Sequence, residues 1–161
     1  MKSILILIFV LFCTFLRAQD CKDYISSQYD KMSGESSIRG NDIIIKDGEK
    51  IFTLYTIGGK GEVGLYIYSN APGCVDDKTK TIFLFSDSTR LTVYAENEFN
   101  CQWKVLFFLG KKYGNKDLFK SLQSKRVEAI RIYTRQSYEE FNISEKDGND
   151  LMNIIKCLKD L

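Results

Sequence analysis

The chain has 161 residues, 23 of them Lys or Arg and 21 Asp or Glu, for a formal charge of +2. A balance so close to zero gives no indication of bulk attraction to nucleic acid or anionic membranes. Histidine is absent, which removes Ser–His–Asp and Cys–His nucleophile systems and most catalytic zinc sites.

The first element is an export signal. Lys2 precedes a mostly apolar run from Ile4 to Leu16, and Arg17-Ala18-Gln19 closes it. The run is too short to span a bilayer and ends on a small residue where cleavage can occur. Residues 1–18 are therefore read as a signal peptide and 19–161 as a single domain, periplasmic or extracellular, with no membrane span left after processing. Removing Lys2 and Arg17 from the 23 basic residues leaves 21, equal to the 21 acidic ones. A formally neutral mature chain needs a local patch for any anion it binds.

Polar residues 20–39 open the mature domain, with a short helix expected around Lys22–Lys31. Strands follow in a meander. Ile43–Ile45 and Ile51–Phe52 flank Lys46-Asp47-Gly48-Glu49, where Asp-Gly is a hairpin signal that sets Lys46 opposite Glu49 and Ile44 opposite Ile51. Leu54–Ile57 extends the second strand, Gly58 to Gly61 turns, and Leu65–Tyr68 returns. Thr81–Phe85 and Leu91–Tyr94 form the next hairpin around Asp87-Ser88. Trp103–Leu109 is apolar on both faces, which predicts a central strand. A helix is expected over Lys116–Gln123, then strands over Val127–Thr134 and Tyr138–Ile143. Ser144 with Asp147 starts the last helix, whose stripe is Leu151, Ile154, Ile155 and Leu158. The fold class expected is α+β: a largely antiparallel curved β-sheet or sandwich of about seven or eight strands, closed by a C-terminal α-helix.

Loss of Cys13 with the signal leaves Cys21, Cys74, Cys101 and Cys157, an even number that an oxidising compartment would join in one of three connectivities. If Asp87-Ser88 is a two-residue loop, opposed residues have numbers summing to 175. Leu84 then faces Leu91, Ile82 faces Val93, and Cys74 falls opposite Cys101. Asp76, Lys78 and Lys80 would be buried by an unbroken ladder, so the segment 75–80 should loop outward. Elimination leaves Cys21 with Cys157.

Chemical motifs are sparse. Gly59-Lys60-Gly61-Glu62-Val63-Gly64 spells GxGxxG but leads into a strand, so a hairpin turn explains it better than a dinucleotide site. Glu96 with Glu98, or Asp76 with Asp77, are the carboxylate pairs a hydrolase could use, though close spacing alone does not make them face each other. Asp147-Gly148-Asn149-Asp150 lacks calcium-loop spacing and reads as a helix start. The stretch 111–126 holds six basic residues and one acid. In a helical register Lys112, Lys116 and Lys120 share one face and form the candidate ligand-binding patch for an anionic glycan. Tyr66 and Tyr68 share one strand face and could stack on sugar rings.

The whole mature domain resembles a group of small exported proteins of Bacteroidetes-type bacteria with no assigned activity. The likeness rests on Ala18-Gln19, Asp30-Lys31-Met32-Ser33-Gly34-Glu35, Gly73-Cys74-Val75-Asp76 with Phe99-Asn100-Cys101, Ala129-Ile130-Arg131-Ile132-Tyr133, and Lys156-Cys157-Leu158. It implies export and an α+β domain. The function expected is that of an exported non-catalytic domain, binding or structural, with an anionic glycan or a protein as partner, no nucleic acid, and no metal or other cofactor. The alternative is a secreted hydrolase using paired carboxylates.

Overall fold

Alternating apolar and polar residues drive most of the chain into strands, and two helical stripes cover what the strands leave open. The computed structural model describes residues 21–59, 62–110 and 115–159. The signal peptide, the Gln19 start, Lys112 and the Lys60-Gly61 hairpin tip lie outside the described residues. A 3₁₀ turn over Cys21–Asp23 leads into β1 (Ile25–Tyr29), β2 (Ser36–Gly40), β3 (Ile43–Asp47), β4 (Lys50–Gly59) and β5 (Glu62–Ser69). Then come β6 (Lys80–Phe85), β7 (Arg90–Tyr94), β8 (Lys104–Gly110), α1 (Lys116–Ser124), β9 (Val127–Tyr133), β10 (Tyr138–Asn142) and α2 (Glu145–Lys159).

The fold is α+β and mostly strand. A six-stranded sheet runs β1-β2-β4-β5-β8, with β3 also paired to β4, and a four-stranded sheet runs β10-β9-β6-β7. Every pairing is antiparallel. The inner faces of the two sheets share one core. Phe83 of β6 meets Phe107 of β8 edge to face, with centroids 5.8 Å apart, and Trp103 meets both Phe52 and Phe141 at 6.3 Å. Helix α2 lies on the inner side too. Gly40 has no Cβ, and one added there would fall onto Thr56 Oγ1 and Ile154 Cγ2, so the helix approaches the sheet because this residue is glycine. Ser144 Oγ accepts a bond from the Asp147 amide (3.1 Å) and donates to its carboxylate (2.6 Å), capping α2 as its sequence predicts. Leu118, Phe119 and Leu122 of α1 are buried beside it.

Four local expectations are corrected. The expected helix over Lys22–Lys31 is a 3₁₀ turn followed by β1. No apolar stripe at helical spacing was available there, and the Asp30 carboxylate accepts the Met32 amide (2.8 Å), ending β1 in a turn that returns as β2. These are the two strands beyond the expected eight.

The β3–β4 hairpin pairs Asp47 with Lys50 and Lys46 with Ile51, not Lys46 with Glu49. Its loop is Gly48-Glu49, with Gly48 at φ +61°. Glycine at the first loop position suits a type II′ turn, so the turn forms one residue later than an Asp-Gly type I′ turn would. Ile43 and Ile45 face the core, while Ile44 points out.

The β6–β7 hairpin pairs Phe83 with Leu91 and Thr81 with Val93, a register one residue away from the expected one. Ser88 takes φ +64°, and the Phe85 amide bonds the Thr89 carbonyl, so the loop holds three residues instead of two. Phe83 and Phe85 face the core, and Ile82 and Leu84 face outward.

Strand β8 ends its sheet and is not central. Side chains cover its open edge: Asn97 Oδ1 accepts the Leu106 amide (3.1 Å) and Glu96 Oε1 the Phe108 amide (3.3 Å).

Candidate functional site

The outer face of the six-stranded sheet gathers aromatic residues. Strand alternation sends Phe52, Leu54, Leu65 and Ile67 inward and Tyr55, Tyr66 and Tyr68 outward. Register places Tyr55 directly opposite Tyr66, and Lys104 opposite Tyr68. The Tyr55 ring stacks on Tyr66 at 4.6 Å between centroids, with planes 2° apart, and on Tyr68 at 5.4 Å and 11°. The Tyr55 and Tyr68 hydroxyls are 2.9 Å apart and hydrogen-bonded. Gly64 makes room for this arrangement, because a Cβ there would sit 3.0 Å from Tyr66 Cε2. The ring leans over bare backbone.

Two cations flank the stack. The Arg39 guanidinium lies 4.6 Å from the Tyr55 centroid and is fixed by Asp42, whose oxygens it reaches at 2.7 and 2.9 Å. The Lys104 ammonium lies 5.4 Å from Tyr66 and 5.8 Å from Tyr68, and has no carboxylate partner among the described residues. Burial, then the Tyr68 hydrogen bond, pushes the Tyr55 hydroxyl well above the ordinary tyrosine range. The Tyr55 hydroxyl therefore stays neutral, and it shares its hydrogen bond with the Tyr68 hydroxyl. Ile44 and Ile51, 56% and 43% exposed, extend the face along β3 and β4. The arrangement offers flat aromatic area, hydroxyls and an ammonium with no carboxylate partner among the described residues, side by side.

Of the sequence-predicted patch, Lys112 lies outside the described residues. Lys116 and Lys120 project from the exposed side of α1, opposite Leu118, Phe119 and Leu122. Further along that stretch Lys125 pairs with Asp87 (2.7 Å) and Arg126 with Glu128 (3.0 Å). The cysteines form Cys74–Cys101, with Cα atoms 4.0 Å apart, and Cys21–Cys157, at 5.6 Å. Segment 76–79 leaves the ladder as a turn, yet Asp76 is buried: Arg135 reaches its carboxylate at 2.9 Å and holds it below the usual aspartate range. Glu96 also accepts from Asn115 Nδ2 (2.5 Å), joining the edge of β8 to the start of α1.

The four-stranded sheet has its own outer surface. Ile82, Leu84 and Ala129 floor a hollow of about 300 Å³ bounded by Arg90, Arg131 and Glu140. A neighbouring hollow of about 400 Å³ lies against Asp76, Lys78, Lys80, Tyr133 and Arg135. Glu140 accepts from Arg131 Nε at 2.6 Å.

Sequence reasoning found Tyr66 and Tyr68 by their alternation. It missed Tyr55, Arg39 and Lys104, which join them only through strand pairing. No protein-family model, characterised protein or solved structure matches the chain. Among the described residues no helix is long and apolar enough to cross a membrane, and no group of three or more Cys, Asp and Glu is placed to hold a metal ion.

Proposed function

We propose that the protein is an exported, non-catalytic binding domain that takes a carboxylate-bearing glycan chain on the tyrosine face of its six-stranded sheet. The observation that carries this reading is the stack of Tyr55, Tyr66 and Tyr68 beside Lys104, which has no carboxylate partner among the described residues. The apolar face of a pyranose packs on aromatic carbon, its hydroxyls exchange bonds with the phenols, and Lys104 meets the uronate. Two disulfides suit an oxidising compartment. The signal segment supplies the route to it, and the secreted protein should begin at Gln19 or within a few residues of it.

Calorimetric titration with oligogalacturonate tests the reading. Tyr66→Ala should weaken binding about fivefold, the equivalent of roughly 1 kcal/mol of aromatic contact. Lys104→Gln should abolish the preference for the acidic chain over a neutral oligosaccharide. Near-UV circular dichroism reports whether each variant keeps its core. Unchanged affinity in both folded variants would refute the assignment.

A further inference from the structure

We propose a second, independent site: the hollow on the outer face of the four-stranded sheet binds a small amphiphilic monocarboxylate. Its shape follows from the register. Leu84 is paired with Ala129 on one side and with Arg90 on the other, and Ile82 with Arg131. These side chains share the solvent-facing side, and the short Ala129 between longer neighbours leaves the depression. Ile82 and Leu84 are half-buried there, an apolar floor on a surface where alternation would ordinarily place polar residues.

The charges around that floor are unequal. Arg131 is held in its charged form by the Tyr133 hydroxyl and by Glu140, which neutralises it. Arg90 is exposed and has no hydrogen-bond or ionic partner among the described residues. Two guanidiniums against one carboxylate leave a single uncompensated positive charge beside an aliphatic floor. That combination selects one anionic head and a short apolar tail. A volume of about 300 Å³ lies at the low end of ligand cavities and admits a chain of about eight carbons.

The test is an amide chemical-shift titration of the mature protein with octanoate below its micelle concentration. Octan-1-ol and acetate serve as controls for the tail and the head. Octanoate should saturate, with shifts centred on Ile82, Leu84, Arg90 and Ala129. Arg90→Gln should weaken it at least about fivefold and bring it level with octanol. Ala129→Leu, which fills the hollow from its floor, should weaken octanoate and leave acetate unaffected. Both variants should keep wild-type affinity for oligogalacturonate, so failure here is distinguishable from failure of the tyrosine face. Three results would each overturn the site: octanol matching octanoate on the wild type, acetate reproducing the octanoate shifts, or Arg90→Gln binding octanoate as tightly as the wild type. Shifts by an acidic peptide at these residues, with none from octanoate, would likewise reject the small-molecule reading.

Discussion

Asp87 shows how one side chain ties a loop to a distant helix end. Its carboxylate accepts from Lys125 and from the Thr89 hydroxyl (2.5 Å) and amide (3.0 Å), and these bonds lower its pKa to about 2. A carboxyl depressed in the folded state stabilises the fold above its unfolded value near 3.8. That contribution is lost as pH falls from about 4 through about 2. Asp87→Asn should therefore unfold at lower urea than the wild type at pH 6, and the two midpoints should converge by pH 2. A difference that persists unchanged at pH 2 would mean the carboxylate acts by shape instead of charge. Residue type also decided what could be foreseen at this scale. The Ser144–Asp147 cap was legible because both partners lie in one local segment. The Arg135–Asp76 pair was not, since its members are 59 positions apart.

Elements divide along the same line. Helices α1 and α2 were readable from their apolar stripes, and strands β3 to β10 from alternation and turn residues. β1 and β2 were not, because four of the five β1 residues are exposed and their pairing, more than their composition, makes them strands. Hairpin registers failed by two residues in β3–β4 and by one in β6–β7, since glycine at a first loop position, or a left-handed Ser88, moves the turn without changing the flanking pattern. The Cys74–Cys101 bridge survived its mistaken premise for a specific reason. A three-residue loop shifts the ladder one way, and the extra residue between Ala95 and Asn100 shifts it back, so Val75 again faces Asn100. Replacing Cys74 and Cys101 by Ser should cost about 3–4 kcal/mol in the chain-entropy model. Replacing Cys21 and Cys157, 136 positions apart, should cost about 5. Urea unfolding of the two double variants measures both, and an inverted order would show that strain or residual unfolded structure outweighs loop length. Non-reducing peptide mapping checks the pairing itself; a Cys74–Cys21 or Cys74–Cys157 peptide would contradict it.

At the scale of the whole molecule, one core sits between two sheets and two helices, and each sheet keeps an outer face with its own chemistry. The α+β class was legible because periodicity reports which faces are buried. The candidate site was legible only in part, because a site on a sheet face is assembled across strands and depends on registers that single-residue turn shifts control. Tyr66 and Tyr68 are neighbours in sequence; Tyr55, Arg39 and Lys104 reach them through three separate pairings. The basic residues of 111–126 were conspicuous as a run, yet Lys125 and Arg126 are engaged by acids. The central claim is that recognition occurs on the tyrosine face, and an amide chemical-shift titration of the mature protein with oligogalacturonate tests it most directly. The account predicts saturable shifts clustered on Tyr55, Tyr66, Tyr68 and Lys104. Shifts confined to Lys116, Lys120 and their neighbours on α1, with the tyrosine amides unmoved, would contradict it.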